Sequence, residues 1–98
     1  MSSNWFTEKH EASGSSIGYR ISEKLAEEKT PFQHIEIYAT TDWGNLMVID
    51  GCTMLTSRDN FLYHEMMTHP ALYTHAAPLD VVIIGGGDCG TLREVLRH

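Results

Sequence analysis

Positive charge is scarce in this chain. Its 98 residues hold seven lysines and arginines against thirteen aspartates and glutamates, a formal net charge of −6. Nucleic acid and anionic membranes are held by clustered cations, so neither is an expected partner. A cationic ligand suits an acidic chain. Cysteine is scarce as well: Cys52 and Cys89 are the two present, and neither sits in a metal or redox motif. The longest apolar run, Val81-Val82-Ile83-Ile84, is far below the roughly 20 residues that cross a bilayer as a helix. The first residues, Met-Ser-Ser-Asn-Trp-Phe-Thr-Glu, have neither the basic nor the apolar region of a signal peptide. There is no Asn-x-Ser/Thr acceptor, no internal repeat and no low-complexity segment. With 42% hydrophobic residues, the expectation is a small globular unit in a soluble, reducing, cytoplasmic setting.

The small polar stretch Glu11 to Ser16 reads as a turn. The segment from Ile17 to Thr30 is ambiguous. Glu23, Lys24, Leu25, Ala26, Glu27 and Glu28 favour helix, whereas Ile17, Tyr19, Ile21 and Leu25 share one parity, as in a strand. On local propensity it leans slightly towards helix. Gln33 to Tyr38 alternates clearly, Thr41-Asp42-Trp43-Gly44 is a turn, and Leu46 to Ile49 is a short apolar strand. Asp50-Gly51 predicts a type I′ hairpin, whose central residues both need positive φ, with Cys52 to Thr56 as the returning strand. Three antiparallel strands follow from this pattern. Thr56-Ser57 offers a helix N-cap with Asp59 in the first turn. Phe61, Leu62 and Met66 carry the helix onward until Pro70 interrupts or restarts it. Met47, Met54, Met66 and Met67 are expected in the core.

Val81–Ile84, bounded by Asp80 and three glycines, predicts a parallel strand covered on both faces. Thr91 to His98 reads as the opening of a helix. Together they are the first half of a βαβ unit. A lone parallel strand cannot satisfy its backbone groups, so further protein, from the same chain or from a partner, is expected to complete the sheet. The turn between them, Gly85-Gly86-Gly87-Asp88-Cys89-Gly90, matches G-x-G-x-x-G, a weak signal alone. Its acid discriminates: a carboxylate there repels a pyrophosphate and attracts an ammonium, which favours a nucleoside with a cationic tail over a nicotinamide dinucleotide. Asp88 can also cap the helix that follows.

Taken together, Ile83-Ile84-Gly85-Gly86-Gly87-Asp88-x-Gly90-x-Leu92-Arg93-Glu94-Val95 resembles the signature of spermidine synthases, the polyamine aminopropyltransferases. Upstream, Thr30-Pro31-Phe32-Gln33-His34-Ile35, Gly44-Asn45-x-Met47-x-Ile49-Asp50-Gly51 and Arg58-Asp59-x-Phe61-x-Tyr63-His64-Glu65-Met66-Met67-x-His69 resemble that family's pieces in the same order. Cys89 departs from a common Gly. The resemblance implies an α/β protein with an N-terminal antiparallel β-domain over residues 1–56. Residues 57–98 would hold a connecting helix and the first strand, loop and helix start of a Rossmann-like parallel sheet. It implies that Ile17 to Thr30 is mainly strand.

It also implies a reaction: aminopropyl transfer from decarboxylated S-adenosylmethionine to putrescine, giving spermidine and methylthioadenosine, with no metal and no bound cofactor. Gln33 would contact the nucleoside, Tyr63, His64 and Asp88 the polyamine and amine groups, and Gly85, Gly86 and Gly87 the nucleoside side of the loop. The proton-accepting Asp and the ribose-binding acid would lie on later elements, so no catalytic residue is expected within these 98 residues, and the segment alone is expected to be inactive. A homo-oligomer, dimer or tetramer, or a second chain supplying the remaining strands, would complete the assembly.

Simpler roles stand beside these. Gln33 could satisfy a strand edge, and Tyr63 and His64 could be ordinary helix packing. His64-Glu65 with His69 is H-E-x-x-x-H rather than H-E-x-x-H, which sets the two rings about 140° apart around a helix and argues against zinc. Arg93 and Glu94 read as helix-surface or ion-pair residues. Two other functions compete: a methyltransferase-like enzyme using intact S-adenosylmethionine, which Asp88 opposes, and a non-enzymatic β-module for oligomerisation.

Overall fold

A computed structural model describes residues 4–98. They fall into two compact units, the first ending at Arg58 and the second running from Asp59 to His98.

The first unit is a five-stranded antiparallel sheet in chain order: β1 (Trp5–His10), β2 (Ser15–Lys29), β3 (His34–Thr40), β4 (Asn45–Ile49) and β5 (Cys52–Thr56). Sequence pattern accounts for β3, β4 and β5. The Asp50-Gly51 hairpin has φ of 52° and 78°, as a type I′ turn requires. β1 escaped the sequence reading, although Trp5, Phe6 and Thr7 all suit a strand. β2 is one long strand, as the resemblance implies, and not the helix its propensities suggest. It pairs with β1 through Ser15 to Arg20 and with β3 through Ile21 to Lys29, with register shifts after Ile21 and after Lys24. The second shift changes which side chains meet. Residues three apart on a regular strand face opposite sides, yet Lys24 Nζ lies 2.8 Å from Glu27 Oε1, because the bulge between them returns both to one face.

The sheet curls on itself. Glu8 on β1 accepts from the Thr53 backbone N–H (2.6 Å) and the Thr53 hydroxyl (2.7 Å) on β5, at the opposite end of the strand order. Leu46 and Val48 on β4 are the buried apolar side chains at its centre. Gly44 permits the close return of the chain after β5. Its φ is 73°, and a Cβ there would stand 2.0 Å from Ser57 Oγ. That hydroxyl accepts from the Asn45 N–H, so Ser57 latches the sheet instead of capping the helix.

The second unit opens with α1 (Asn60–Thr74), whose N-cap is Asp59, without a side-chain capping bond. The expected cap at Thr56-Ser57 is therefore displaced towards the C-terminus. Pro70 lies inside α1 and does not divide it. Proline removes one backbone donor, but Thr74 Oγ donates to the Pro70 carbonyl and the His75 N–H to that of Ala71, securing the last turn. The buried residues of α1 are His64 and Thr68. Met66 and Met67, expected in the core, are exposed, as is Met54 on β5. The inward face of α1 is built from polar side chains, and nothing among the described residues covers its methionines.

Val81–Ile84, expected as a parallel strand, forms none here. A parallel strand is defined by neighbours, and the segment pairs with no strand among the described residues; Ile84 is 97% exposed. The Gly-rich turn follows, then α2 (Gly90–Val95), which packs on α1.

Acid should unfold the β unit first at its carboxylates. Hydrogen bonds from Thr53 hold Glu8 below its ordinary value, Lys24 and His34 do so for Glu27, the Tyr38 hydroxyl for Glu36, and Thr41 and Arg20 for Asp42. A carboxylate depressed by folding stabilises above its unfolded pKa, 4.5 for Glu and 3.8 for Asp, and that contribution is lost as pH falls through the folded value. Trp5 and Trp43 fluorescence should report a thermal midpoint that drops once pH passes below the ordinary carboxyl range of about 4. A flat or rising midpoint would contradict the assignment.

Candidate functional site

The second unit concentrates the site chemistry around Asp88. Gly85 and Gly86 take φ of 88° and 68°, a region open to glycine without steric cost. A Cβ on Gly86 would also meet the Ile83 side chain at 2.8 Å. Gly87 differs: its φ is not in that region and nothing lies within 4 Å of a Cβ placed there. The turn thus winds tightly through its first two glycines and leaves open space at the third. Cys89 is exposed and adopts the left-handed conformation, with φ 64°.

Asp88 is held from two sides. Its Oδ1 accepts from the Gly90 N–H at 3.0 Å, and its Oδ2 accepts from His64 Nε2–H at 3.1 Å. The first bond is a local turn that fixes the start of α2. The second ties that turn to α1 across 24 positions of chain. His64 is 2% exposed, whereas the Asp88 side chain is 25% exposed. The arrangement is a buried imidazole orienting a carboxylate that still reaches solvent. Each carboxylate oxygen has a second acceptor site, so Asp88 can take further donors. A bound ammonium is the matching chemistry, since it offers three donors and a compensating charge.

Gly90 makes this geometry possible. A Cβ there would lie 2.0–2.3 Å from the ring atoms of His64, so the imidazole reaches Asp88 only because residue 90 has no side chain. Tyr63 precedes His64, its ring edge-on to the imidazole at 5.4 Å, and is exposed. The structure therefore brings Tyr63, His64, Asp88 and the glycine turn into one unit. Gln33 belongs to the first unit, in the turn just before β3 and not on the strand. Thr30 organises that turn by accepting from the Phe32 and Gln33 N–H groups and donating to the Gln33 carbonyl.

Two residues were undervalued by sequence reading. Gly90 appeared only as part of a motif; its role is to make room for His64. For Glu94 the sequence predicts a helix-surface or ion-pair residue. It is an ion-pair residue but no surface one, 1% exposed and bonded to His69, Arg93 and Arg97. Burial raises its carboxyl pKa, and the hydrogen bond from Arg93, the charge of Arg97 and the bond from His69 outweigh that, leaving it below its ordinary value. The two histidines of H-E-x-x-x-H go to different acids, His64 to Asp88 and His69 to Glu94.

One further group, Glu27, His34 and Glu36, has donor atoms within 4.8 Å of one another, as a metal site would. Its cation is already present: Lys24 Nζ lies 2.8 Å from Glu27 and 3.0 Å from Glu36. These carboxylates raise the lysine pKa, so the ammonium stays charged between them.

Gly90→Ala tests the geometry around Asp88. The added methyl should push the His64 ring out of reach of Asp88 while α2, which tolerates Ala better than Gly, stays helical. In imidazole NMR spectra of the wild type, His64 should show a bonded Nε2–H that Gly90→Ala abolishes. An unchanged signal would mean that the ring is not seated against Gly90.

Comparison with known proteins gives consistent matches. Residues 4–57 match the family model described as the spermidine synthase tetramerisation domain, and residues 60–98 match the spermine/spermidine synthase domain. A polyamine aminopropyltransferase of Xanthomonas campestris pv. campestris is 73% identical over 95 residues, 97% of this chain and 33% of that protein. One from Stenotrophomonas maltophilia is 70% identical over 99% of this chain and 34% of its own length. Among solved structures, the spermidine synthase of Thermotoga maritima aligns with a TM-score of 0.90 at 38% identity, over 96% of this chain and 33% of its own. A spermidine synthase crystallised with the transition-state analogue AdoDATO gives the same values. The chain spans about a third of the length of the relatives it matches.

Proposed function

The chain belongs to the spermidine synthase family, and on that premise we propose that the complete protein transfers an aminopropyl group from decarboxylated S-adenosylmethionine to putrescine. The observation that carries this reading is the partly exposed carboxylate of Asp88, oriented by the buried His64 and set in a turn that opens at Gly87. In the reaction a neutral amine nitrogen attacks the carbon beside the sulfonium. The new C–N bond forms as the C–S bond breaks, and its electron pair leaves on sulfur, giving a neutral thioether. The amine loses a proton to a general base.

Both reactants carry ammonium groups, and a carboxylate at Asp88 would gather such a group and fix its distance from the reacting carbon. Gly85, Gly86 and Gly87 would let backbone approach the nucleoside closely, Tyr63 would wall the amine side, and Gln33 would contact the thioether nucleoside. In this reading the 98 residues supply binding groups, and the proton acceptor and ribose-binding acid come from the remainder of the relatives' length. No metal or redox cofactor takes part. The β unit would serve assembly into a tetramer, in keeping with the description of the family model it matches. In the described residues no helix is long and apolar enough to cross a membrane.

A methyltransferase-like reaction with intact S-adenosylmethionine is the competing reading, and Asp88 separates the two. Intact ligand presents a carboxylate beside its ammonium; decarboxylated ligand presents the ammonium alone. In the complete protein, Asp88→Asn should weaken the decarboxylated ligand about tenfold to a hundredfold, the loss of a charge-assisted hydrogen bond worth roughly 1.5–3 kcal/mol, and affect the intact ligand much less. Asn keeps the shape and can still accept from the Gly90 N–H. Calorimetric titration of both ligands decides: equal losses would make Asp88 a structural turn residue and remove the basis for discrimination.

A further inference from the structure

We propose that His69 and Glu94 form a positioning pair that sets where Asp88 points, an inference resting on the reading of Asp88 as the ammonium-binding group.

Burying Glu94 is costly. A carboxylate at 1% exposure has lost its water, and apolar packing at the same place is often as stable as a buried ion pair. What the charge adds is direction. Glu94 has three charged or ionisable partners, and they are not equivalent. Arg93 Nε at 3.2 Å and Arg97 Nη1 at 3.5 Å flank Glu94 on the same stretch of chain. They balance its charge but tie α2 to nothing else. His69 Nε2, which donates to Glu94 Oε1 at 3.2 Å, comes from α1. Of the three, His69 alone joins the two helices.

The orientation of His69 is itself fixed. In the tautomer that donates to Glu94, its Nδ1 accepts from His98 Nε2–H at 2.9 Å, and its ring lies 5.4 Å from that of Tyr73. The unit therefore has two histidine–carboxylate ties from α1, His64 to Asp88 in the Gly-rich turn and His69 to Glu94 in α2. The turn before Asp88 is glycine-rich and supplies little stiffness of its own. A short helix is stiff along its axis, so a displacement at Glu94 carries to the N-terminus of α2. There the Gly90 N–H donates to Asp88 Oδ1. His69 thus acts on Asp88 through Glu94, α2 and Gly90, without touching a ligand.

The test is a mutant cycle in the complete polypeptide, by steady-state kinetics with decarboxylated S-adenosylmethionine and putrescine. His69→Ala should raise KM for the nucleoside about three- to tenfold, with a smaller change in kcat, the range expected for coupled neighbours. His69→Gln should recover most of that loss, because its amide nitrogen can replace Nε2. In an Asp88→Asn background, His69→Ala should add nothing. If it costs as much there as in the wild type, or if Gln is as damaging as Ala, the pair is merely structural and the proposal fails. An Asp88→Asn protein with unchanged KM would instead defeat the reading of Asp88 itself, and the positioning role with it. Should His69→Ala fail to fold, His69→Asn and His69→Gln make the same comparison. Asn places its amide near Nδ1, out of reach of Glu94, so KM above that of Gln supports the pair and equal values overturn it.

Discussion

The hydrogen bond from His64 to Asp88 is the constraint on which the second unit turns. It joins a helix to a glycine turn that has little rigidity of its own, and it exists only because Gly90 leaves the imidazole room. The imidazole is buried and the carboxylate stays partly in water. A carboxylate held this way is oriented before a ligand arrives. Orientation is what a displacement at carbon asks of a protein, since the reacting atoms must be brought into line and held there.

The two units hold themselves together by different means. The β unit buries Leu46 and Val48 and closes its curl with Glu8 on Thr53, at the two ends of the strand order. The helical unit buries His64, Thr68 and Glu94 and leaves its methionines and most of its large apolar side chains in solvent. A polar interior gives orientation, because hydrogen bonds have direction and apolar contacts have little. Uncovered apolar residues and a strand segment without neighbours fit a chain that matches about a third of its relatives' length.

Much of this was legible in the sequence, for identifiable reasons. The hairpin at Asp50-Gly51 was legible because positive φ is a property of the two residues themselves. The antiparallel β-domain and the glycine turn followed from short-range pattern and the family resemblance together. Over β2 the helix-forming residues Glu23 to Glu28 pointed the wrong way, because pairing with strands on both sides overrides local propensity; the parity of Ile17, Tyr19 and Ile21 and the resemblance pointed to the strand that forms. The helix cap misled because Ser57 found a better partner in Asn45. Val81–Ile84 has the composition of a strand, but a strand exists only between neighbours. At the site, the residue types at Asp88 and His64 were legible, while their contact was not, since it spans two elements. The burial of Glu94 was invisible because charged residues on a helix end are usually solvated. Its signal was the pair of arginines flanking it, Arg93 and Arg97.

The central claim is that Asp88 receives the ammonium of a nucleoside ligand. A crystal structure of the complete polypeptide with decarboxylated S-adenosylmethionine tests it most directly. The account predicts the ligand's amine nitrogen within hydrogen-bonding distance of Asp88, roughly 2.7–3.2 Å, with the His64–Asp88 bond intact and the nucleoside over Gly87. An amine placed elsewhere, with Asp88 bonded only to His64 and Gly90, would contradict it.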